Sequence, residues 1–146
     1  MGQDYLAQAE TDVEAPPAAV WDALTNPASI REYMFGTNVV STWQVGAPIV
    51  WQGEWQGKPY EDKGAILAFA PEQRVQYSHF SPLSGQPDVP ENYHTVTVEL
   101  TPQGGATHVV LTQDHNASAE ERDHSAQNWA MMLNGLKHFV ESSTAG

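Results

Sequence analysis

The sequence contains no cysteine, which excludes disulfides, thiolate nucleophiles and Cys-based zinc sites at the outset. Positive charge is scarce as well: six Lys plus Arg face eighteen Asp plus Glu, a formal net charge of −12. Binding a phosphate backbone needs Lys and Arg clustered on one face, so no nucleic-acid partner is expected. Such acidity favours solubility, or attraction to a basic partner protein. No apolar stretch approaches the roughly 20 residues of a membrane span, so no membrane insertion is expected. Met1 to Leu6 has neither a basic n-region nor an apolar h-region, so no signal peptide is visible and a cytoplasmic location is the expectation.

What is present is a folding composition, with 40% hydrophobic and only 16% charged residues. The 146 residues match the size of one domain, and no repeat, low-complexity tract or linker divides them. Residues 1–146 are therefore expected to form one domain.

Tyr5 to Glu14 reads as a first strand. Ala15-Pro16-Pro17 then opens a helix, because proline is tolerated where an N–H would lack an intrahelical partner. Val20, Trp21 and Leu24 give that helix an apolar face, and Asn26-Pro27 breaks it. A second, very short helix is predicted over Ser29 to Phe35. From Thr37 to Gln113 the period becomes two, with turns at Gln56-Gly57-Lys58-Pro59, Ala70-Pro71-Glu72-Gln73 and Gln103-Gly104-Gly105. His94, Val96, Val98 and Leu100 fall on one strand face, and Thr95, Thr97 and Glu99 on the other.

The C-terminus carries the clearest helix. Ser118-Ala119-Glu120-Glu121 matches a capping box, followed by Ala126, Trp129, Leu133, Leu136 and Val140 at helical spacing. A parallel sheet would need helices between its strands, and here they lie at the ends. The expected fold is α+β: a curved antiparallel sheet of about six to seven strands wrapped around a long C-terminal helix, with two short helices after the first strand.

The stretch VEAPPAAVWDALTNPASIREYMFG, with Trp21-Asp22-Ala23-Leu24 and Asn26-Pro27 inside it, resembles the opening of the START-like, polyketide-cyclase superfamily with its helix-grip fold. VGAPIVWQGEWQG and KGAILAFAPEQRVQYSHF resemble the middle strands of one branch, the homologues of the activator of heat-shock-protein 90 ATPase. Thr95 to Leu100 with Thr107 resembles its late hairpin, and NWAMMLNGLKHFVE its terminal helix. The resemblance runs from about Ala9 to Glu141. It implies a cavity between sheet and long helix that holds a small hydrophobic ligand. Related chains commonly carry tryptophan near Tyr33 and glycine at Asn128, two positions placed near that pocket. The chaperone-binding domain of the eukaryotic activators has no counterpart here.

The candidate pocket is led by aromatic residues. Trp51 and Trp55 share a strand face, Tyr77 and His79 share another, and Trp129 lies on the helix stripe. Tyr33 and Phe35, His94, Val96 and Val98, and Met132, Leu133 and Leu136 complete the set. Aromatic rings supply apolar area with a polar tip that orients a ligand, although the same pattern also describes ordinary core packing. His79 and His94 are the candidates for proton transfer. Glu61 and Asp62 are adjacent on a strand and point to opposite faces, so they cannot act as a carboxylate pair. No metal-ligand set and no cofactor fingerprint is found, and none is expected. The proline-rich stretch Ser81 to Pro90 is a candidate lid over one mouth of the pocket.

Three functions follow. The first is binding of a small hydrophobic or aromatic molecule; the second is an enzyme of polyketide cyclase or dehydratase type acting on such a molecule. The third is an acidic, co-chaperone-like interaction module, and a homodimer is left open.

Overall fold

The computed structural model describes residues 5–34, 36–55, 57–81, 87–89, 92–116 and 118–144. Strand β1 (Tyr5–Val13) leads into helices α1 (Pro17–Thr25) and α2 (Pro27–Tyr33). Six strands follow: β2 (Asn38–Ser41), β3 (Pro48–Trp55), β4 (Lys58–Ala70), β5 (Arg74–His79), β6 (His94–Gln103) and β7 (Ala106–Asn116). Helix α3 (Ala119–Thr144) closes the chain with 26 residues.

The strands form one antiparallel sheet in the order β1-β7-β6-β5-β4-β3-β2. The path is a meander that starts at the edge formed by β2 and ends by pairing β7 with β1. Helices α1 and α2 carry the chain from one edge of the sheet to the other.

Asn26 explains how two helices fit in so short a crossing. It ends α1 through its N–H to Asp22 O, and its side chain accepts from Ala28 N to start α2. Pro27 sits in the first turn of α2, so that helix begins two residues before the sequence pattern suggested. The short β2, hidden in the long period-two stretch, is paired through Val39 opposite Trp51.

The alternation of β6 sets the core. Val96, Val98 and Leu100 are buried, and their directly opposed partners Gln113, Leu111 and Val109 on β7 are buried with them. Against this concave face α3 lays Met132, Leu133, Leu136 and Val140. Each such side chain, fully buried, contributes about 1.5–3 kcal/mol. The N-terminal end of α3 starts with Ser118 Oγ accepting from Glu121 N, half of the expected capping box. Its C-terminal end is tied to β1: Lys137 Nζ donates to Asp12 O, and Glu141 accepts from Glu14 N.

Gly64 allows β5 to lie close against β4. A Cβ there would fall 1.7 Å from Ser78 O, inside any permissible contact. The approach is fastened on either side by Lys63 and Phe80, which exchange both backbone hydrogen bonds, and by Ser78 Oγ accepting from Ala65 N. A residue with a side chain must push the two strands apart. Gly64→Ala is expected to lower stability by about 3 kcal/mol or more, read as a shift in the urea midpoint.

Candidate functional site

Because His79 follows Ser78 on β5, the same close approach brings its ring to the inner face beside β4. There His79 Nε2 lies 3.0 Å from Asp62 Oδ2. The carboxylate accepts, so Nε2 carries the proton and the lone pair of neutral His79 sits on Nδ1. Asp62 directly faces Trp51 across the β3–β4 hairpin, and the Trp51 ring meets His79 edge-on at 5.0 Å between centroids. Tyr77, two residues back on the same face, packs against Trp51 at 5.1 Å.

These residues wall a cavity of about 80 Å³ whose other sides are Met34, Thr37, Tyr60 and Trp129. Its walls are aromatic and its end is polar. Tyr60 and Thr37 share a 2.7 Å hydrogen bond between hydroxyls. Gly53 leaves room for the Tyr60 ring, since a Cβ would come within 2.6 Å of its hydroxyl. The side chains of His79 and Asp62 keep 26% and 17% of their surface, so the polar end is reachable from solvent.

One atom is conspicuous. Asp62 Oδ1 is buried and has no hydrogen-bond partner among the described residues. A buried acceptor left unmade costs about 1–3 kcal/mol, and more when charged.

A smaller apolar cavity of about 30 Å³ adjoins through the shared walls Met34, Trp51 and Tyr77. Leu24, Trp43, Val98 and Met132 lie along it. Tyr33 also borders it, but its hydroxyl donates to Ala23 O and is committed to holding α2 on α1. Burial pushes the Tyr33 phenol far above its ordinary range, and dense packing does the same to Tyr77 although part of its surface is accessible. Both therefore remain neutral and neither supplies a phenolate base.

Trp129 is held by a network that crosses from β7 to α3. Its indole N–H donates to Gln113 Oε1, Gln113 Nε2 donates to Asn116 Oδ1, and Ser125 Oγ donates to that same oxygen. Asn116 Nδ2 in turn donates to Tyr5 O. A satisfied network of this kind fixes the ring rotamer.

With this geometry in place, comparison with known proteins becomes informative. Residues 14–141 match the family model described as Activator of Hsp90 ATPase homolog 1-like protein. The chain belongs to that family. A solution structure of ChR145 from Cytophaga hutchinsonii is 53% identical over the whole of both chains, with a TM-score of 0.87. DynU16, a protein of the dynemicin biosynthetic locus, is 17% identical with a TM-score of 0.79, covering 97% of this chain and 49% of that one. The Aha1 dimer from Colwellia psychrerythraea is 18% identical with a TM-score of 0.73, covering 93% and 96%. No curated protein sequence matches the chain. These likenesses confirm the helix-grip architecture of the family.

Of the residues singled out from sequence, Trp51, Tyr77, His79 and Trp129 border the polar-ended cavity. Tyr33, Val98 and Met132 border the apolar one. Val96, Leu133 and Leu136 are buried in the core and border neither of the two. His94 lies opposite His79 on β6 and shares its face, with Nδ1 donating to Asp114 O. Phe35 and the Trp55 side chain lie outside what the structure describes, as does most of Ser81 to Pro90. The end of that loop is anchored, with Asp88 paired to Lys63 and accepting from Tyr93 Oη at 2.6 Å. Asn128, placed near the pocket by resemblance, is exposed on α3.

Asp62, Thr37, Tyr60 and Met34 were missed. Asp62 had a signal: with Trp55 paired to Lys58 it falls opposite Trp51, whereas a turn running through Pro59 would set it opposite Gly53. A charged residue facing a tryptophan on an inner strand face is an unusual placement and a reason to single the position out as a candidate.

A broader surface cleft of about 810 Å³ lies between α2 and α3, lined by Glu32, Met131, His138 and Phe139 among others. It is larger, but the interior cavities surround their contents with aromatic walls, which is how small-molecule sites bury a ligand.

Two measurements check the electrostatics. Long-range proton–nitrogen NMR correlations should find neutral His79 protonated on Nε2 and neutral His94 on Nδ1. Outside the site, hydrogen bonding to Asp12 raises the His108 pKa above its ordinary value, with Glu10 adding to it. That contact therefore stabilises the fold fully below the unfolded histidine pKa and is lost as pH rises through the folded one. Asp12→Asn should lower the His108 midpoint in an NMR titration.

Proposed function

We propose that the protein binds a small hydrophobic or aromatic molecule in the cavities between the sheet and α3. The observation that carries this reading is the pair of adjoining voids walled by Trp51, Tyr77, Trp129 and Met132, in positions where a helix-grip fold leaves sheet and helix apart. Their size limits the ligand. An apolar cavity of about 150 Å³ admits benzene, so voids of about 80 and 30 Å³ suit a small head group as they stand, and a ring needs the walls to move. The occurrence of DynU16 in a biosynthetic locus agrees with small-molecule work on this fold.

The Asp62–His79 pair favours a second reading, in which binding is followed by proton transfer. The carboxylate orients the imidazole and leaves Nδ1 as the acceptor, the arrangement a general base needs. His94 has its Nδ1 engaged with Asp114 O and keeps Nε2 as its acceptor.

Native mass spectrometry of freshly purified protein, set against its denatured mass, tests the first reading. A discrete excess mass of a small organic compound is expected, lost on substituting Trp51→Ala. An excess that persists unchanged in the Trp51→Ala protein would contradict it. The same spectrum counts subunits and shows whether this chain pairs as the Colwellia protein does.

A further inference from the structure

The two ends of the polar cavity do not balance. The acceptors along it are the Asp62 carboxylate, whose Oδ1 is itself buried without a partner among the described residues, and the second nitrogen of the His79 ring, and the Tyr60–Thr37 hydroxyl pair has already spent one of its two protons internally. No Lys or Arg among the described residues pairs with Asp62. Neighbouring Lys63 is turned instead to Asp88. A carboxylate this far withdrawn from water normally has a cationic or fully hydrogen-bonded surrounding, and this one, with 17% of its side chain exposed, has a single imidazole among the described residues. Around it stand Trp51, Tyr60, Tyr77 and Trp129. The rings of Trp51 and Tyr77 are inclined at 50°, and those of Trp51 and His79 at 66°, so they form corners and not a flat stack.

Aromatic walls at an angle, with one carboxylate among them, are complementary to an organic cation. The ring faces attract the charge, and an ammonium N–H donates to the carboxylate. A net charge of −12 raises the local concentration of cations around the protein. The volume of about 80 Å³ matches a head group of a few non-hydrogen atoms.

We propose that the ligand of this cavity is a protonated amine, its ammonium group seated against Asp62 among Trp51, Tyr77 and Trp129, with its apolar body directed to the neighbouring apolar void. This rests on the reading of the cavities as a ligand site, and it adds the chemical class that the site selects. Neutral hydrocarbons of the same shape offer the Asp62 carboxylate neither a donor nor a counter-charge and are discriminated against.

Three probes of similar size separate the possibilities: benzylammonium, benzyl alcohol and toluene, each titrated into the full chain by calorimetry at neutral pH. Benzylammonium is expected to bind about tenfold or more tightly than either neutral probe, the scale of one desolvated charge-assisted contact. Asp62→Asn should erase that preference, and a urea midpoint close to that of the unmodified protein shows that the variant is folded. In the unmodified protein, raising the salt concentration should weaken benzylammonium and spare toluene. If all three probes bind equally, or benzyl alcohol binds best, the amine class is overturned while the apolar site stands. If none binds, the ligand site itself falls and the amine class with it.

Discussion

The apolar stripe of α3 must be covered, and the only surface long enough to cover it is the concave face of the sheet. Met132, Leu133, Leu136 and Val140 meet that face and leave water entirely or nearly so. Everything else is arranged around this contact. The meander returns β7 to β1 so that the last strand leads directly into α3. Lys137 and Glu141 bind the far end of the helix to β1 and the residue beyond it. The C-terminal half of α3 buries Leu133, Leu136 and Val140 against the sheet, while toward Trp129 large rings line the contact. Flat rings set at angles do not fill a corner as aliphatic chains do, and the voids lie there.

The polar end of the void follows from backbone chemistry. Gly64 lets β5 approach β4, and this approach places His79 beside Asp62. Gly53 makes space for Tyr60 over the next strand. Two missing Cβ atoms therefore shape a site in which they take no chemical part. Leaving Asp62 Oδ1 buried without a partner among the described residues costs stability that the rest of the fold must offset.

Much of the architecture was legible in the sequence. The capping serine Ser118, the stripe through Leu136 and the period-two pattern of His94 to Leu100 each carry a local physical rule, and the family motifs fixed their order. What periodicity could not supply was the inventory of the cavity. Val96, Leu133 and Leu136 have the same apolar signature as Val98 and Met132, yet they fill the core while the other two border a void. That distinction depends on packing in three dimensions. Asp62 was set aside because it cannot pair with Glu61, and its actual partner, His79, is 17 residues away across a register set by the turn and by Gly64. Trp43 was invisible for another reason. It reaches the apolar void from a loop with φ 59, a conformation that bulky residues rarely adopt and that no pattern announces.

The most direct test of the account is to locate a bound aromatic probe by intermolecular NOEs. For benzyl alcohol at saturation, contacts to the side chains of Trp51, Tyr77 and Trp129 are predicted. Contacts confined to Met131, His138 and Phe139 would place the probe in the cleft between α2 and α3 and contradict a ligand site between sheet and helix.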